Sequence, residues 1–251
     1  MIQEVTSLQN AQAKLWKKLL TAKGRKKEQL YVLEGYHLVL DALNSQQALY
    51  CMMSKEVYER LTIQIDVPIY ILSESILKEI SETTTSQSIF CVVKMSKKVL
   101  EKPKGKYILL DSLQDPGNVG TIIRTADAAG FQGVVIGKNC VDIYNGKTVR
   151  SMQGSQFHIP IYHMDLCESI ALFKKENISV FGTELNHKAI RLQEVPYQEH
   201  CAIIVGNEGN GIQKDILNMT TQNVYIPILG QAESLNVAVA AGIMMYHFVK
   251  K

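Results

Sequence analysis

Residues 107–137 read YILLDSLQDPGNVGTIIRTADAAGFQGVVIG, and this stretch decides the fold class. Its apolar beginning predicts a strand, Pro116 and Gly117 predict a turn, residues 119–130 predict a helix, and GVVIG (133–137) predicts a second strand. Strand, helix and strand in this order imply two parallel strands joined by a right-handed crossover. The apolar residues of the strands do not alternate with polar ones, so we expect helices on both faces of the sheet. The fold class is therefore α/β.

The same pattern continues toward the C-terminus. Apolar runs predict further strands at 179–185, 202–206 and 224–228, and helical periodicity predicts helices at 166–176 and 235–249. Together with the first stretch they form one α/β domain over residues 107–251.

Residues 1–95 predict a smaller α/β unit. Leu15, Trp16, Leu19 and Leu20 recur at the spacing of an amphipathic helix. Further segments alternate between strand and helix, in the order strand 31–35, helix 36–43, strand 48–54, helix 56–61, strand 67–73, helix 74–81 and strand 88–95. Residues 96–106, SKKVLEKPKGK, contain proline, glycine and five lysines, which is the composition of a linker.

The composition is that of a soluble globular protein with a core. Of 251 residues, 46% are hydrophobic and 20% are charged. No apolar run approaches the roughly 18 residues of a membrane helix, and the N-terminus lacks the layout of a signal peptide. The five cysteines are widely spread without a Cys-x-x-Cys pair, so we expect no disulfide framework and no metal site. We expect a cytoplasmic protein that does not engage a membrane.

Basic residues are concentrated in two clusters, although the net charge is only +3. The first comprises Lys14, Lys17, Lys18, Lys23, Arg25, Lys26 and Lys27, and the second comprises Lys94, Lys97, Lys98, Lys102, Lys104 and Lys106. Such clusters suit a phosphate backbone. They equally suit a solvated helix face and a solvated linker, and both interpretations stay open.

Three segments carry the residues with chemical potential, and each follows a predicted strand. In open α/β sheets, ligands bind at the carboxyl ends of strands. In the first segment (111–131), Asn118 is placed to cap the following helix. Arg124 interrupts an apolar helix and has the donors to clamp a phosphate. Taken alone, these two residues are better read as a helix cap and a surface residue.

The other two segments are IIVGNEGNGI (203–212) and VYIPILGQAESLNVAVAAGIMMYHF (224–248). The three glycines of the first allow a ligand to approach the backbone closely, with Glu208 among them. Neither this segment nor NGKT (145–148) has the spacing of a P-loop. In the last segment, Ser234 is a suitable N-cap for a long helix rich in small residues.

Together, the three segments resemble the motifs of the SpoU (TrmH-like) branch of the SPOUT RNA 2′-O-ribose methyltransferases. The first family motif, Asn-x-Gly-x-x-x-Arg, is matched by Asn118, Gly120 and Arg124. The second, Gly-x-Glu-Gly-x-Gly, is matched by Gly206, Glu208, Gly209 and Gly211. The third, Ile-Pro followed by Ser-Leu-Asn-Val, is matched by Ile226, Pro227, Ser234, Leu235, Asn236 and Val237. Residues 1–93 resemble the family's substrate-binding domain more loosely, and Ser86 and Ser88 stand where proline and glycine are usual.

The resemblance implies a sheet with a deep trefoil knot and S-adenosylmethionine as the cofactor. By motif, Gly206, Ile226 and Leu235 would bind the cofactor, and Thr183 is a further candidate. The family works as homodimers, and one face of the C-terminal helix either supplies the dimer surface or packs in the core of its own chain. That surface would comprise Ala238, Ala240, Ala241, Gly242, Met244 and Met245. RNA is the implied substrate, with ribosomal RNA favoured over transfer RNA.

The reaction moves a methyl group to a ribose 2′-hydroxyl, which must lose its proton near the moment of attack. Arg124 is the family's catalytic candidate, but a guanidinium stays protonated. Our hypothesis is that Arg124 holds the substrate phosphate and helps to activate the hydroxyl. Asn118, Glu208, Ser234 and Asn236 would orient that assembly. Asp127 and His158 are read as structural.

Two other functions compete with this interpretation. A non-catalytic RNA-binding protein that retains the fold is disfavoured by the intact Asn118, Arg124 and Glu208. A dinucleotide-dependent oxidoreductase needs Gly-x-Gly-x-x-Gly after the first strand, and GNVGTIIR (117–124) does not supply it.

Overall fold

The computed structural model describes residues 1–250, and the chain passes back and forth between two units. Unit 1 contains Met1–Ser96 and Asp142–Phe157, whereas unit 2 contains Lys97–Val141 and the chain from His158 onward. A segment from the middle of the chain, 142–157, is thus part of the N-terminal unit. The assignment of RNA binding to residues 1–95, of a linker to 96–106 and of methyl transfer to 107–251 stays a prediction.

The strands are, in chain order, β1 (Ile2–Val5), β2 (Leu30–Glu34), β3 (Ala48–Met53), β4 (Ile69–Leu72), β5 (Ile89–Lys94), β6 (Lys106–Leu110), β7 (Gly133–Ile136), β8 (Ile161–His163), β9 (Ser179–Thr183), β10 (Ile190–Arg191), β11 (Cys201–Val205) and β12 (Gln222–Tyr225). The helices are α1 (Ala11–Leu19), α2 (Ala22–Glu28), α3 (Tyr36–Asn44), α4 (Lys55–Arg60), α5 (Glu74–Ile80), α6 (Pro116–Ala128), α7 (Gly146–Met152), α8 (Leu166–Lys175), α9 (Lys214–Asn218) and α10 (Val237–His247). Short 3-10 turns occur at Ser155–Phe157 and Leu192–Glu194.

Unit 1 is a five-stranded mixed sheet in the order β1-β4-β3-β5-β2. β4 runs parallel to β1 and β3, whereas β5 runs antiparallel to β2 and β3. The four strands predicted in this half are confirmed. The amphipathic helix is confirmed as α1, whose Trp16 and Leu19 are buried against Met52 and Phe90.

Unit 2 is a seven-stranded sheet in the order β10-β12-β9-β11-β6-β7-β8, and every pairing in it is parallel. β11 lies between β6 and β9, in a register that sets Val205 opposite Leu110. Leu109, Val180 and Ile204 are fully buried, together with Phe173 of α8. The predicted α/β class is confirmed, and the trefoil knot stays a prediction.

Two predicted helix caps are wrong by a few residues. α6 begins earlier than predicted, and its N-cap is Asp115, whose carboxylate accepts from the Asn118 backbone N–H at 2.8 Å. α10 begins later, and its N-cap is Asn236 rather than Ser234. Both shifts have the same consequence, because they release the Asn118 side chain and the Ser234 hydroxyl from capping.

The surface predicted for a dimer on α10 is also wrong. Ala238, Ala241, Met244 and Met245 are buried within unit 2. α10 packs on α6 through this face, so these small residues serve intrachain packing. The exposed face of α10 is a different one, formed by Val239, Ile243 and Tyr246.

Among residues 1–250, no helix combines the length and apolarity needed to span a lipid bilayer.

Candidate active site

The three segments singled out in the sequence leave the sheet of unit 2 at one edge. They follow β6, β11 and β12, which end at Leu110, Val205 and Tyr225. β6 pairs with β11, β11 with β9, and β9 with β12, all in parallel. The carboxyl ends of these strands therefore lie together, as expected for a ligand site in an open α/β sheet.

A chain of side-chain hydrogen bonds joins one residue from each segment. The Asn236 Nδ2 donates to Asn118 Oδ1 at 3.0 Å, and the Asn118 Nδ2 donates to Glu208 Oε1 at 2.9 Å. Asn118 is half-buried, whereas Glu208 and Asn236 are exposed. Residues separated by up to 118 positions thus form one polar cluster, which we call the motif cluster (Asn118, Glu208 and Asn236).

The polarity of the motif cluster is fixed by its two ends. Asn236 Oδ1 accepts from the backbone N–H groups of Ala238 and Val239, so its amide nitrogen must face Asn118. Asn118 then presents its oxygen to Asn236 and its nitrogen to Glu208. An ionised Glu208 can only accept, so every donor in the chain meets an acceptor.

A second set of bonds holds the loops after β6 and β11 together. The buried Asp111 carboxylate accepts from the backbone and the side-chain nitrogens of Gln213, at 2.7 Å each. Asn207 Nδ2 donates to the carbonyl of Ser112 at 3.0 Å. The sequence analysis missed Asp111 and Asn207, although a carboxylate directly after an apolar strand was a usable signal.

Gly206 is required by the fold of its own loop, and its predicted contact with the cofactor stays a prediction. A Cβ on Gly206 would lie 2.2 Å from the carbonyl carbon of Gly211 and 2.3 Å from the nitrogen of Ile212. Asn207 and Gly211 exchange two backbone hydrogen bonds, which folds the loop back over Gly206. The space above the Gly206 α-carbon is filled by the chain itself, so a side chain there would disrupt the loop.

Arg124 lies on the exposed side of α6, outside the motif cluster. It follows Asn118 by six residues, which corresponds to about 9 Å along the helix axis. Within residues 1–250, no hydrogen bond or ion pair engages its guanidinium. Its five N–H donors are therefore available to a partner that this chain does not provide.

The remaining predicted residues line the loop that follows β12 and the end of β9. Ile226 is half-buried, Leu235 is 36% exposed, and Ser234 is exposed. Thr183 is the last residue of β9, next to both β11 and β12. The structure thus places all four at the same edge as Gly206 and does not test their roles.

The loop after β12 fits the cofactor implied by the resemblance. Leu229 is 98% exposed and Ile228 39% exposed, which leaves apolar surface for an adenine or a methionine chain to cover. Glu184, which directly follows β9, lies beside the loop after β11, with a carboxylate oxygen 3.2 Å from where a Cβ on Gly211 would stand. A carboxylate here complements ribose hydroxyls or a positive ammonium. Glu184 was missed, although it adjoins Thr183.

Asp127 and His158, read as structural, form a pair within unit 2. The carboxylate of Asp127 lies 3.2 Å from His158 Nδ1. Asp127 sits one helical turn beyond Arg124, away from the motif cluster. Nothing in this arrangement brings the pair to the edge of the sheet where the motifs meet.

In unit 1, the loop of residues 81–88 is organised by Glu34 at the end of β2. The Glu34 carboxylate accepts from Ser81 Oγ at 2.6 Å, from the Glu82 amide at 2.9 Å and from Thr83 Oγ1. Burial alone would raise the pKa of Glu34, but these hydrogen bonds lower it below its ordinary value. Ser88, at the position where glycine is usual, adopts a left-handed φ of 52°.

Two family models match the chain, one over each half. Residues 105–246 match the SpoU rRNA Methylase family, and residues 10–91 match the MRM3-like substrate binding domain. The second match overlaps most of the part of unit 1 that precedes β6.

Individual relatives extend over nearly the whole chain. The 23S rRNA (guanosine(2553)-2′-O)-methyltransferase RlmP of Bacillus subtilis is 44% identical over 98% of this chain and 99% of its own. An uncharacterized tRNA/rRNA methyltransferase of Synechocystis is 32% identical over 98% of this chain and 93% of its own. The AdoMet-bound rRNA methyltransferase from Sinorhizobium meliloti superposes with a TM-score of 0.86 at 28% identity, over 98% of this chain and 97% of that chain.

Proposed function

The chain belongs to the SpoU rRNA methylase family, and on this basis we propose that it methylates a ribose 2′-hydroxyl of 23S rRNA. It is an RNA methyltransferase, and S-adenosylmethionine is its methyl donor. The guanosine that RlmP methylates is the first candidate for the target nucleotide, because RlmP matches this chain from end to end.

The observation that carries this proposal is the motif cluster. Asn118, Glu208 and Asn236 come from three separate segments and still satisfy one another's hydrogen-bonding groups. Such a network holds its members in fixed positions, and catalysis requires that reacting groups be positioned before the reaction. The cluster lies beside the apolar loop that fits the methyl donor.

The chain's own residues then divide the work as follows. The bound donor supplies a methyl group on a positively charged sulfur. Arg124 holds the phosphate next to the target ribose with two parallel donors and orients the 2′-hydroxyl for in-line attack. The positive charge also lowers the pKa of that hydroxyl, which eases loss of its proton. Asn118 and Glu208 orient the nucleotide. Ser234 lies two residues before Asn236 and helps to orient the nucleotide with them.

We propose further that two copies of the chain complete the site as a homodimer. Val239, Ile243 and Tyr246 are 52%, 41% and 55% exposed and lie on one face of α10, and Leu235, just before the helix, is also exposed. Four exposed apolar residues this close together suit burial against a second copy. Arg124 lies on the exposed side of the adjacent α6, so a second copy packed on this face would border the site that Arg124 serves.

The experiment that tests the proposed function is a comparison of ribose methylation in cells with and without this gene. One 2′-O-methyl site in 23S rRNA should disappear from the cells that lack it. Disappearance of a transfer RNA site instead would replace the target. No change in either RNA, with S-adenosylmethionine still bound by the purified protein, would favour the non-catalytic RNA-binding protein. The cytoplasmic location stays a prediction.

A further inference from the structure

Basic residues on α4 and α5 of unit 1 are neutralised by their own helices. Arg60 lies 3.0 Å from Glu56, Lys78 lies 3.5 Å from Glu74, and Lys55 lies 3.9 Å from Glu59. Each pair is spaced four residues apart, which stabilises an exposed helix slightly. These side chains have the ordinary arrangement of a solvated surface.

Helix α2 differs from them. Lys23, Lys26 and Lys27 are exposed, and none of them has an ion pair within residues 1–250. Their spacing of three and four residues puts the three ammonium groups on one face, where like charges repel and destabilise the helix. Glu28, the only acidic residue of α2, is paired with Lys18 of α1 instead. We call Lys23, Lys26 and Lys27 the lysine face.

The lysine face is held rigidly by its neighbours. Gly24 lies so close to α1 that a Cβ there would be 1.9 Å from the carbonyl oxygen of Lys18. Arg25 is 4% exposed, and its Nη1 donates to the carbonyls of Leu19 and Leu20 at 3.0 and 2.8 Å. Its Nε and Nη2 donate to Asp142 at 3.0 and 2.8 Å. Arg25 is thus withdrawn from the surface and locks the corner between α1 and α2.

The first basic cluster of the sequence therefore separates into two sets. Lys17, Lys18 and Arg25 each have a carboxylate partner. Lys14, Lys23, Lys26 and Lys27 have none within the described part of the chain. The three on α2 form a positively charged surface whose mutual repulsion a bound anion would reduce.

We propose that the lysine face binds the phosphate backbone of the substrate RNA and takes no part in the methyl transfer itself. This inference rests on the proposed function, which makes RNA the polyanion that the protein meets. Lysine ammonium groups act as point charges toward phosphates and read no sequence. The face therefore sets affinity for the RNA and leaves the chemical step unchanged.

The test compares two variants that lose the same charge. In K23Q/K26Q/K27Q the lysine face is neutral, and in K55Q/R60Q/K78Q three paired basic residues are neutral. Binding of an unmodified 23S rRNA transcript is measured from 50 to 200 mM salt, together with kcat and KM for methyl transfer and the affinity for S-adenosylmethionine. We expect the first variant to lose about ten- to a hundredfold in RNA affinity near 0.1 M salt and about two to three in its salt slope. Its KM for RNA should rise while kcat and cofactor affinity stay constant, and K23R/K26R/K27R should keep wild-type binding.

The outcomes separate this inference from the proposed function. Equal RNA affinity in the two variants, whether both lose it or neither does, overturns the lysine face. If the wild-type protein binds the transcript but transfers no methyl group to it, the proposed target is wrong. The comparison of RNA affinity between the two variants then still decides whether the lysine face binds RNA. Wild-type protein that does not bind the transcript overturns both.

Discussion

Two arginines show how differently the two units use the same side chain. In unit 1, Arg25 is 4% exposed, and its guanidinium donates hydrogen bonds to two carbonyls and to the Asp142 carboxylate. In unit 2, Arg124 is exposed, and no group within residues 1–250 accepts from it. Arg25 lies in the seven-residue α2 among three lysines, whereas Arg124 lies in the thirteen-residue α6 among apolar and small residues.

A buried and fully paired charge has a structural role, whereas an exposed and unpaired charge is available to bind a ligand. A buried guanidinium must be fully bonded, because an unpaired buried charge costs several kcal/mol. An exposed guanidinium carries no desolvation cost while water solvates it, and it can form charge-assisted hydrogen bonds to a phosphate. Substitution of Arg25 should therefore affect folding, whereas substitution of Arg124 should affect only the reaction.

The largest effect is expected for Arg124→Ala. Methyl transfer to 23S rRNA should fall by about a hundred- to ten-thousand-fold, the range found when a group that stabilises developing charge is removed. The free energy of unfolding and the affinity for S-adenosylmethionine should stay at wild-type values, because Arg124 contacts neither the core nor the donor loops. Single-turnover methylation measures the transfer, titration calorimetry the cofactor affinity and urea denaturation the free energy of unfolding.

Arg124→Lys is the matched control for that prediction. It keeps the charge and loses the two parallel donors, so it should recover only part of the activity. An Arg124→Ala variant that loses cofactor affinity as strongly as activity would remove Arg124 from the reaction.

The next largest effect is expected for Arg25→Met. It leaves Asp142 without its cation and the last carbonyls of α1 without a donor, which should lower the free energy of unfolding by about 3–5 kcal/mol. Urea denaturation monitored at Trp16, which is buried in unit 1, measures the loss.

The double variant Arg25→Met with Asp142→Leu sharpens the same prediction. Removing both charges should cost less than removing Arg25 alone, since no unpaired carboxylate remains. A double variant as unstable as the sum of its single variants would show that the pair does not couple residues 25 and 142.

The different environments of these two arginines could not be predicted from the sequence, because one of them depends on a distant contact. The Arg25 partner, Asp142, lies 117 residues further along the chain, in a segment that returns to unit 1 from the middle of unit 2. No local pattern encodes such a contact. Arg124 was found only through its place in the first motif, and its unpaired state was not predictable.

A smaller effect is expected for Asn118→Ala in the motif cluster. Asn236 and Glu208 would each lose one hydrogen bond while staying solvated. The two side chains would therefore be less well positioned, but the fold would keep its stability. We expect kcat to fall about ten- to a hundredfold with little change in Tm. In Asn118→Asp the donor to Glu208 is replaced by a like charge, which should lower kcat further. Activity unchanged in both variants would show that the cluster does not orient the substrate.

The smallest effect is expected for Glu34→Gln in unit 1. An amide nitrogen would face the Glu82 N–H, so one hydrogen bond to the 81–88 loop is lost, at a cost of about 1–2 kcal/mol. The pKa of Glu34 is lowered on folding, so its stabilisation is present above the ordinary glutamate pKa and is lost as pH falls through the folded-state value. The wild type should therefore lose more stability than Glu34→Gln as the pH falls below the pKa of an ordinary glutamate. Equal losses of stability in the wild type and in Glu34→Gln as the pH falls would contradict this prediction.

The general architecture was predictable because apolar runs and helical periodicity are local. The principal strands of both sheets appear within about two or three residues of their predicted bounds. The elements that were not predicted are β1, β8, β10, α2, α7 and α9. α2 was hidden because its sequence, AKGRKKE, has no apolar face and is stabilised by the buried Arg25. The helix caps were misplaced because several capping residues stand close together before α6 and α10.

The most direct test of the central claim is the chemical identity of the product. Purified protein, methyl-labelled S-adenosylmethionine and unmodified 23S rRNA are incubated, and the RNA is digested to nucleosides. We predict that the label appears in a single 2′-O-methylnucleoside and is absent when Arg124→Ala replaces the wild type. Label in a methylated base, or equal labelling by the variant, would contradict the account.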